Sequence, residues 1–218
     1  MDYAHNDTCA GERKTPTAQF NSPKISEKLE RLRQSAFKRE IPTADNETLG
    51  FLTTLVCALK PKNILELGTA VGISGIAMLS ACPESTLHTV EKNKLFFDEA
   101  VENFKNFNLE SRTKGILGDA GEVIEQLEGE YDFIFLDSAK VQYIKYLPRL
   151  KKLLKKGATL LADDILLYGY ITGEAPVPPK RRMLVRHIRE YIGAVTNDCE
   201  LSTTIINIGD GLAMSVKI

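Results

Sequence analysis

The sequence predicts an α/β protein with a mostly parallel, seven-stranded, Rossmann-like sheet, and two observations carry this prediction. From Asn63 onward, short apolar runs alternate with amphipathic stretches, as in a parallel sheet that is covered by helices on both faces. The C-terminal end instead predicts an antiparallel hairpin, whose strands Leu201–Ile208 and Leu212–Ile218 are joined by a turn containing Gly209 and Gly211.

Each element of the parallel part follows from its pattern of apolar residues. The strands are predicted at Asn63–Leu67, Thr86–Val90, Lys114–Leu117, Asp132–Leu136 and Ala158–Ala162. The helices between them are predicted near Ile73–Ala81, Leu95–Asn106, Ala120–Leu127 and Tyr143–Leu154.

The N-terminal region differs from the rest of the chain. Met1–Asn21 is polar and lacks periodicity, so we expect a disordered or loosely attached tail. Ser22–Glu40 has apolar residues at helical spacing, and Pro42 interrupts that pattern. A second helix is predicted to begin near Asp45, a capping residue, and to run to about Leu59. Residues 22–218 then form one domain with N-terminal helices.

Composition and net charge limit the classes of protein to which this chain can belong. The chain has 218 residues, of which 43% are hydrophobic and 26% charged, and its formal net charge is −1. It therefore suits one sizeable core, and bulk charge neither favours nor excludes a nucleic-acid partner. Its four cysteines form no C-x-x-C pair, and no apolar run is long enough to span a membrane. We therefore expect a cytoplasmic protein without a signal peptide or membrane segment.

The most specific local motif is the run from Ile64 to Ser74, in which a strand passes through a glycine-containing turn into a helix. Such a turn lets a ligand approach the backbone at the carboxyl edge of a parallel sheet. The glycines do not follow the dinucleotide-binding pattern G-x-G-x-x-G. Glu66 suits the cationic amino group of an amino-acid-like cofactor, and Glu91, at the next strand end, suits the hydroxyls of a ribose. Solvated carboxylates in ordinary strand-to-helix turns are the simpler alternative for any one of these motifs.

These motifs, together with Asp132–Asp137 and Ala162-Asp163-Asp164, resemble the catechol and caffeoyl-coenzyme A O-methyltransferase family, over about residues 25–218. The resemblance implies the class I methyltransferase fold and S-adenosylmethionine as cofactor. The positions that match its cofactor residues are Ile41, Glu66, Gly68, Ser74, Glu91, Ala120 and Asp137. It also implies dimers through the N-terminal helices.

Three carboxylates follow neighbouring strands of the predicted sheet. Asp137 ends the fourth strand, and Asp163 and Asp164 end the fifth. Because these strand ends lie side by side in a doubly wound sheet, the three carboxylates should converge above the cofactor crevice. Hard oxygen ligands suit a divalent cation, Mg²⁺ first among them, and the resemblance assigns these three positions to metal ligation. The family usually has Asp-Asn where this chain has Asp163-Asp164. A helix cap or solvated turn residue is the alternative role for Asp164.

Lys140, three residues after Asp137, matches the general-base lysine of the family. A lysine can act as a base near neutral pH only if its pKa falls, and a nearby dication would lower it, whereas Asp164 opposes that effect. The resemblance therefore implies Lys140 and Asp137 as catalytic residues. An exposed lysine that opens a helix is the alternative.

The segment after Pro178 gives evidence about which molecule accepts the methyl group. As a helix it places Arg182, Arg186 and Arg189 along one stripe and turns Leu184, Ile188 and Tyr191 toward the core. An arginine stripe can bind phosphates, although a solvated helix face is the default for an isolated charge run. The segment is also similar to the bacterial branch that methylates 5-hydroxyuridine at the wobble position of transfer RNA. The preceding loop offers Tyr168 or Tyr170 for stacking on a base, or for packing.

Three hypotheses remain open at this point. The first is an enzyme that forms 5-methoxyuridine in the tRNA anticodon loop, and the second is an enzyme that methylates small catechol-like phenols. The third is a non-catalytic nucleotide-binding or RNA-binding protein, which the retained Asp137, Asp163, Asp164 and Lys140 disfavour.

Overall fold

The computed structural model describes Thr15, Pro16 and residues 18–218. The helices, α1 to α7, are Glu27–Lys38, Asn46–Leu59, Ile73–Ala81, Lys94–Asn106, Ala120–Gln126, Tyr143–Leu153 and Arg182–Thr196. The strands, β1 to β7, are Asn63–Leu67, Thr86–Glu91, Thr113–Leu117, Tyr131–Leu136, Leu154–Ala162, Leu201–Ile206 and Leu212–Lys217. The predicted central strands and helices are thus confirmed to within a few residues.

The seven strands form one sheet in the order β3-β2-β1-β4-β5-β7-β6. Strands β1 to β5 are parallel, and β7 pairs antiparallel with both β5 and β6. The predicted fold class is therefore confirmed, including the closing hairpin. The strand order reverses between β1 and β4. At such a reversal, a parallel sheet has a crevice at the carboxyl ends of its strands, and ligands bind there.

Strand β4 shows how the sheet separates two apolar layers. Phe133 and Phe135 join the layer of α1 to α4, whereas Ile134 and Leu136 join the layer that includes α6 and α7. Because side chains alternate across a strand, a strand covered on both faces is apolar at nearly every position. On α7, Ile188 and Tyr191 are buried as predicted.

The first helix is shorter than predicted. The periodicity began at Ser22, but α1 begins at Glu27 because Ser26 caps it and accepts the N–H of Leu29 at 3.2 Å. The second helix begins as predicted, with the Asp45 carboxylate accepting the N–H of Thr48 at 2.9 Å.

The end of the predicted tail contacts α2. Thr15 Oγ1 and Asn21 Nδ2 donate to Glu47 Oε1 at 2.5 and 3.1 Å. Residues 1–14 and 17 lie outside the described part of the chain. Within the described part, no helix combines the length and apolar character needed to cross a membrane.

Candidate active site

The crevice between β1 and β4 depends on a glycine. The N–H of Asp137 donates to Leu67 O at 2.9 Å, which brings the two strand ends together. Gly68 has φ +103°, and a Cβ there would lie 1.8 Å from the carbonyl oxygen of Asp137. No other residue fits between these strand ends without moving the backbone.

Glu66 lies beneath this turn and is completely buried. Ser74 Oγ donates to its Oε1 at 2.5 Å, and Thr89 Oγ1 donates to its Oε2 at 2.6 Å. Burial raises the pKa of Glu66 to about 7, although the two hydroxyl donors oppose the shift. Two predicted cofactor residues, Glu66 and Ser74, are thus hydrogen-bonded to each other.

This buried carboxyl should make stability depend on pH. Because the folded-state pKa of Glu66 lies above the value of 4.5 for the free group, its contribution is fully present below pH 4.5 and is lost as pH rises through about 7. The loss should be on the order of 3 kcal/mol in the free energy of unfolding. We expect Glu66→Gln to remove most of this loss, as measured by urea unfolding at pH 5 and pH 8. The exposed Glu128 supplies a control, Glu128→Gln, and equal pH dependence in all three proteins would contradict the prediction.

The other predicted cofactor residues, Glu91, Ala120 and Ile41, lie on separate parts of the fold. Glu91 accepts the N–H of Ala70 at 2.9 Å and that of Asn93 at 2.8 Å, so it holds the turn that follows β1. Ala120 begins α5, and Ile41 is buried between α1 and α2. A carboxylate has four lone-pair sites, so the bonds of Glu91 leave it able to accept from a ligand.

The three predicted metal carboxylates lie at neighbouring strand ends, with Lys140 among them. Lys140 Nζ lies 2.8 Å from Asp137 Oδ1 and 2.7 Å from Asp164 Oδ2. Asp163 is only 2% exposed, and its Oδ1 accepts the N–H of Asp164 at 2.7 Å. Burial lowers the pKa of Lys140, but Asp137 and Asp164 outweigh that effect and raise it well above its usual value. In this arrangement the side chain of Lys140 is therefore a protonated, positively charged ammonium group.

The donor chemistry of this cluster suits Mg²⁺, but its arrangement does not present three carboxylates to one ion. Among the described residues, no group of three His, Cys, Asp or Glu side chains is disposed to hold a metal. Asp137 and Asp164 instead share the ammonium of Lys140. The metal assignment of Asp137, Asp163 and Asp164 stays a prediction.

The structure adds polar residues that the sequence motifs did not identify. Tyr143 is fully buried, and its hydroxyl donates to Leu136 O at 2.9 Å, at the end of β4. Ser138 Oγ is buried and has no hydrogen-bond partner within the described chain. Ser138 follows Asp137 directly, so position after a strand end is the signal that could have found it.

The predicted arginine stripe is exposed on α7. Arg182, Arg186 and Arg189 line a surface cleft of about 470 Å³. Arg186 also pairs with Glu190 at 2.9 Å. Helix α7 packs against the turn that contains Lys140, so the cleft belongs to an element that adjoins the candidate site.

Comparison with known proteins identifies the family. The O-methyltransferase family model matches residues 19–218, which is nearly the whole chain. This chain belongs to the O-methyltransferase family. Tapetum-specific methyltransferase 1 of Arabidopsis thaliana is 29% identical over 90% of this chain and 88% of its own length. Caffeoyl-CoA O-methyltransferase 2 of Populus trichocarpa is 28% identical over 90% of this chain and 84% of its own.

Solved structures of O-methyltransferases share the fold. A Staphylococcus aureus protein assigned as a caffeoyl-CoA O-methyltransferase is 31% identical, covers 89% of this chain and 93% of its own, and has a TM-score of 0.81. An O-methyltransferase of Bacillus cereus in complex with S-adenosylhomocysteine is 24% identical over 89% of this chain and 92% of its own, with a TM-score of 0.78. The second likeness shows the fold alone.

Proposed function

We propose that this O-methyltransferase transfers the methyl group of S-adenosylmethionine to 5-hydroxyuridine at the wobble position of tRNA, forming 5-methoxyuridine. The observation that carries the choice of RNA is the exposed cleft lined by Arg182, Arg186 and Arg189 on α7, the helix that packs against the turn of Lys140. Guanidinium groups match phosphate oxygens in geometry and charge.

The crevice supports the cofactor part of this proposal. The backbone nitrogen of Ser138 lies near Gly68, where the β1 and β4 ends meet, and the buried Ser138 hydroxyl has no partner in the described chain. A buried polar atom of this kind is best explained by a polar ligand or water. Glu66 brings a carboxyl beneath the same turn, which suits the cationic amino group of S-adenosylmethionine. The cofactor, when bound, supplies an electrophilic methyl group on sulfur.

The residues around the acceptor oxygen have separable tasks. The hydroxyl must lose its proton as the oxygen attacks, and a nearby positive charge favours the anion. Lys140, held as an ammonium between Asp137 and Asp164, provides that charge and can donate to the oxygen. Its raised pKa disfavours the general-base role that the resemblance implied. Asp164, the more exposed of the two carboxylates, is placed to accept the proton.

A second candidate acceptor is a small catechol-like phenol or its coenzyme A ester. The plant relatives named caffeoyl-CoA O-methyltransferases favour it. The phosphates of coenzyme A could also contact the arginine cleft, whereas a simple catechol carries none.

The direct test is methyl transfer from labelled S-adenosylmethionine to separate acceptors, with Mg²⁺ or with EDTA. The acceptors are tRNA containing 5-hydroxyuridine, the same tRNA lacking it, caffeoyl-CoA and catechol. Labelling only of the hydroxylated tRNA would support the proposal. Labelling of catechol or caffeoyl-CoA with no labelling of tRNA would replace it by the second candidate. Loss of labelling in EDTA would support the predicted metal site.

Replacing Arg182, Arg186 and Arg189 together by alanine tests the cleft. We expect the KM for tRNA to rise by about tenfold or more and its salt dependence to weaken, because each lost phosphate contact lowers the logarithmic salt slope by roughly one. Turnover of catechol, if it is a substrate, should not change. The control replaces Arg31, Lys94 and Lys105, whose side chains are 75, 69 and 67% exposed. Equal effects of both triple variants would assign the result to net charge and not to the cleft.

A further inference from the structure

The loop after β5 has an uncommon backbone. Asp164, Leu167 and Tyr168 are non-glycine residues with φ of +57°, +48° and +56°. Residues other than glycine rarely adopt this left-handed backbone conformation, and they keep it only where surrounding contacts stabilise it. The loop is therefore held in a particular shape by its neighbours.

The turn between β6 and β7 provides those contacts. The N–H of Leu166 donates to Asp210 O at 2.8 Å, and the N–H of Tyr168 donates to the Asp210 carboxylate at 2.6 Å. Gly211 lies against Leu166, and a Cβ on Gly211 would lie 2.1 Å from Leu166 Cγ. The hairpin turn thus sets the course of the loop up to Tyr168.

Within this loop, Tyr168 is the large side chain that faces outward. Leu166 and Leu167 are 5% and 3% exposed, whereas Tyr168 is 40% exposed. Tyr170 packs against the apolar layer of α6 and α7, and its ring meets that of Tyr168 edge-on at a centroid distance of 6.2 Å. Tyr170 therefore supports the ring of Tyr168 and leaves much of it accessible.

Tyr168 also lies within electrostatic range of the reaction groups. Burial raises the pKa of Tyr168, Asp164 and Asp210 raise it further, and Lys140 and Arg181 act in the opposite direction. Tyr168 follows Asp164 by four residues in this loop, and the Asp164 carboxylate contacts Lys140 Nζ at 2.7 Å. An acceptor whose oxygen reaches Lys140 would therefore lie next to the loop that carries Tyr168.

We propose that Tyr168 forms one wall of the acceptor subsite and stacks on the planar ring that carries the acceptor hydroxyl. This inference rests on the proposed function because it requires an acceptor with a planar ring. It holds for a pyrimidine and for a catechol, because any planar ring can stack on tyrosine. Tyr168 is a substrate-positioning residue, and Asp210 positions Tyr168 through its backbone N–H.

The test compares Tyr168→Ala with Tyr168→Phe. We expect Tyr168→Ala to raise the KM for the acceptor about tenfold, the equivalent of ~1.4 kcal/mol, with a smaller effect on kcat. Tyr168→Phe should stay within about twofold of wild type, since it keeps the ring. The Kd for S-adenosylhomocysteine, measured by calorimetry, should be the same in all three proteins. A role limited to loop structure would instead lower kcat and the melting temperature of Tyr168→Ala.

A binding measurement separates this inference from the proposed function. The chain contains no tryptophan, so Tyr168→Trp introduces a single tryptophan at the proposed wall, whose emission can be excited selectively over that of the tyrosines. With the protein saturated in S-adenosylhomocysteine, added catechol or 5-hydroxyuridine should quench that emission in a saturable way. Quenching by either ring supports the inference even if neither acceptor is methylated, an outcome that would contradict the proposed function alone.

Three outcomes would overturn the inference. They are an unchanged acceptor KM in Tyr168→Ala, equal impairment of Tyr168→Phe and Tyr168→Ala, and no saturable quenching of Tyr168→Trp by either ring. Equal impairment would assign the role to the hydroxyl group and not to stacking.

Discussion

Replacing Asp137 by asparagine is expected to lower kcat for methyl transfer on the order of 10²–10³-fold. The Asp137 carboxylate accepts from Lys140 Nζ at 2.8 Å, at the crevice edge where the ends of β1 and β4 meet. The amide that replaces it carries no charge to hold the ammonium, so Lys140 should turn toward Asp164 and away from the acceptor oxygen. The fold should survive, because the backbone N–H of Asp137 still donates to Leu67.

The same strand offers a matched control. Asp132 lies at the other end of β4 and pairs with Lys155 at 2.7 Å, and the side chains of Asp132 and Asp137 are 26% and 24% exposed. Asp132→Asn should therefore lose a comparable ion pair and keep its kcat. Kinetics with labelled S-adenosylmethionine and thermal melting of both variants make the comparison. Near-normal turnover of Asp137→Asn, or its failure to fold, would contradict the assignment of Asp137 to the reaction.

Replacing Gly68 by alanine is expected to destabilise the protein by about 3 kcal/mol or more and to abolish cofactor binding. The new Cβ would lie 1.8 Å from the carbonyl oxygen of Asp137, and φ at this position is +103°. The overlap is with backbone, so relief requires β1 and β4 to separate at the crevice. Urea unfolding measures the stability, and calorimetry with S-adenosylhomocysteine measures the binding.

Gly193→Ala is the control for this change. Gly193 lies inside α7, and a Cβ there would meet no atom within 4 Å. Alanine should therefore stabilise the protein by roughly 0.5–1 kcal/mol, since glycine is a poor helix residue. Similar stability changes in the two variants would show that the close approach at Gly68 does not determine the crevice.

The sequence by itself determined the order of the elements and the edge of the sheet where the candidate site residues lie. Alternating apolar runs set the parallel strands, because a strand covered on both faces must be apolar throughout. Glu66, Glu91 and Asp137 each lie at the end of such a run, and parallel strands end at one edge. The positions of these residues at strand ends were predictable because they depend on local position along the chain.

Only the tertiary structure decided what these side chains contact. Sequence spacing brought Lys140 near Asp137, but a bond to Asp164 requires the paired ends of β4 and β5. Thr89 reaches Glu66 across the β1–β2 pair, and burial raises the pKa of this carboxyl, which the sequence predicted only as a cofactor ligand.

The loop of Tyr168 shows the same dependence on distant parts of the chain. The pattern of residues allowed Tyr168 or Tyr170 to stack, and nothing local separates the two. Asp210, which follows 42 positions later, accepts the N–H of Tyr168 and fixes a backbone conformation that propensity alone disfavours. Contacts between remote segments carry no signal in a local pattern, which is why the fold could be predicted from the sequence and the arrangement of the site could not.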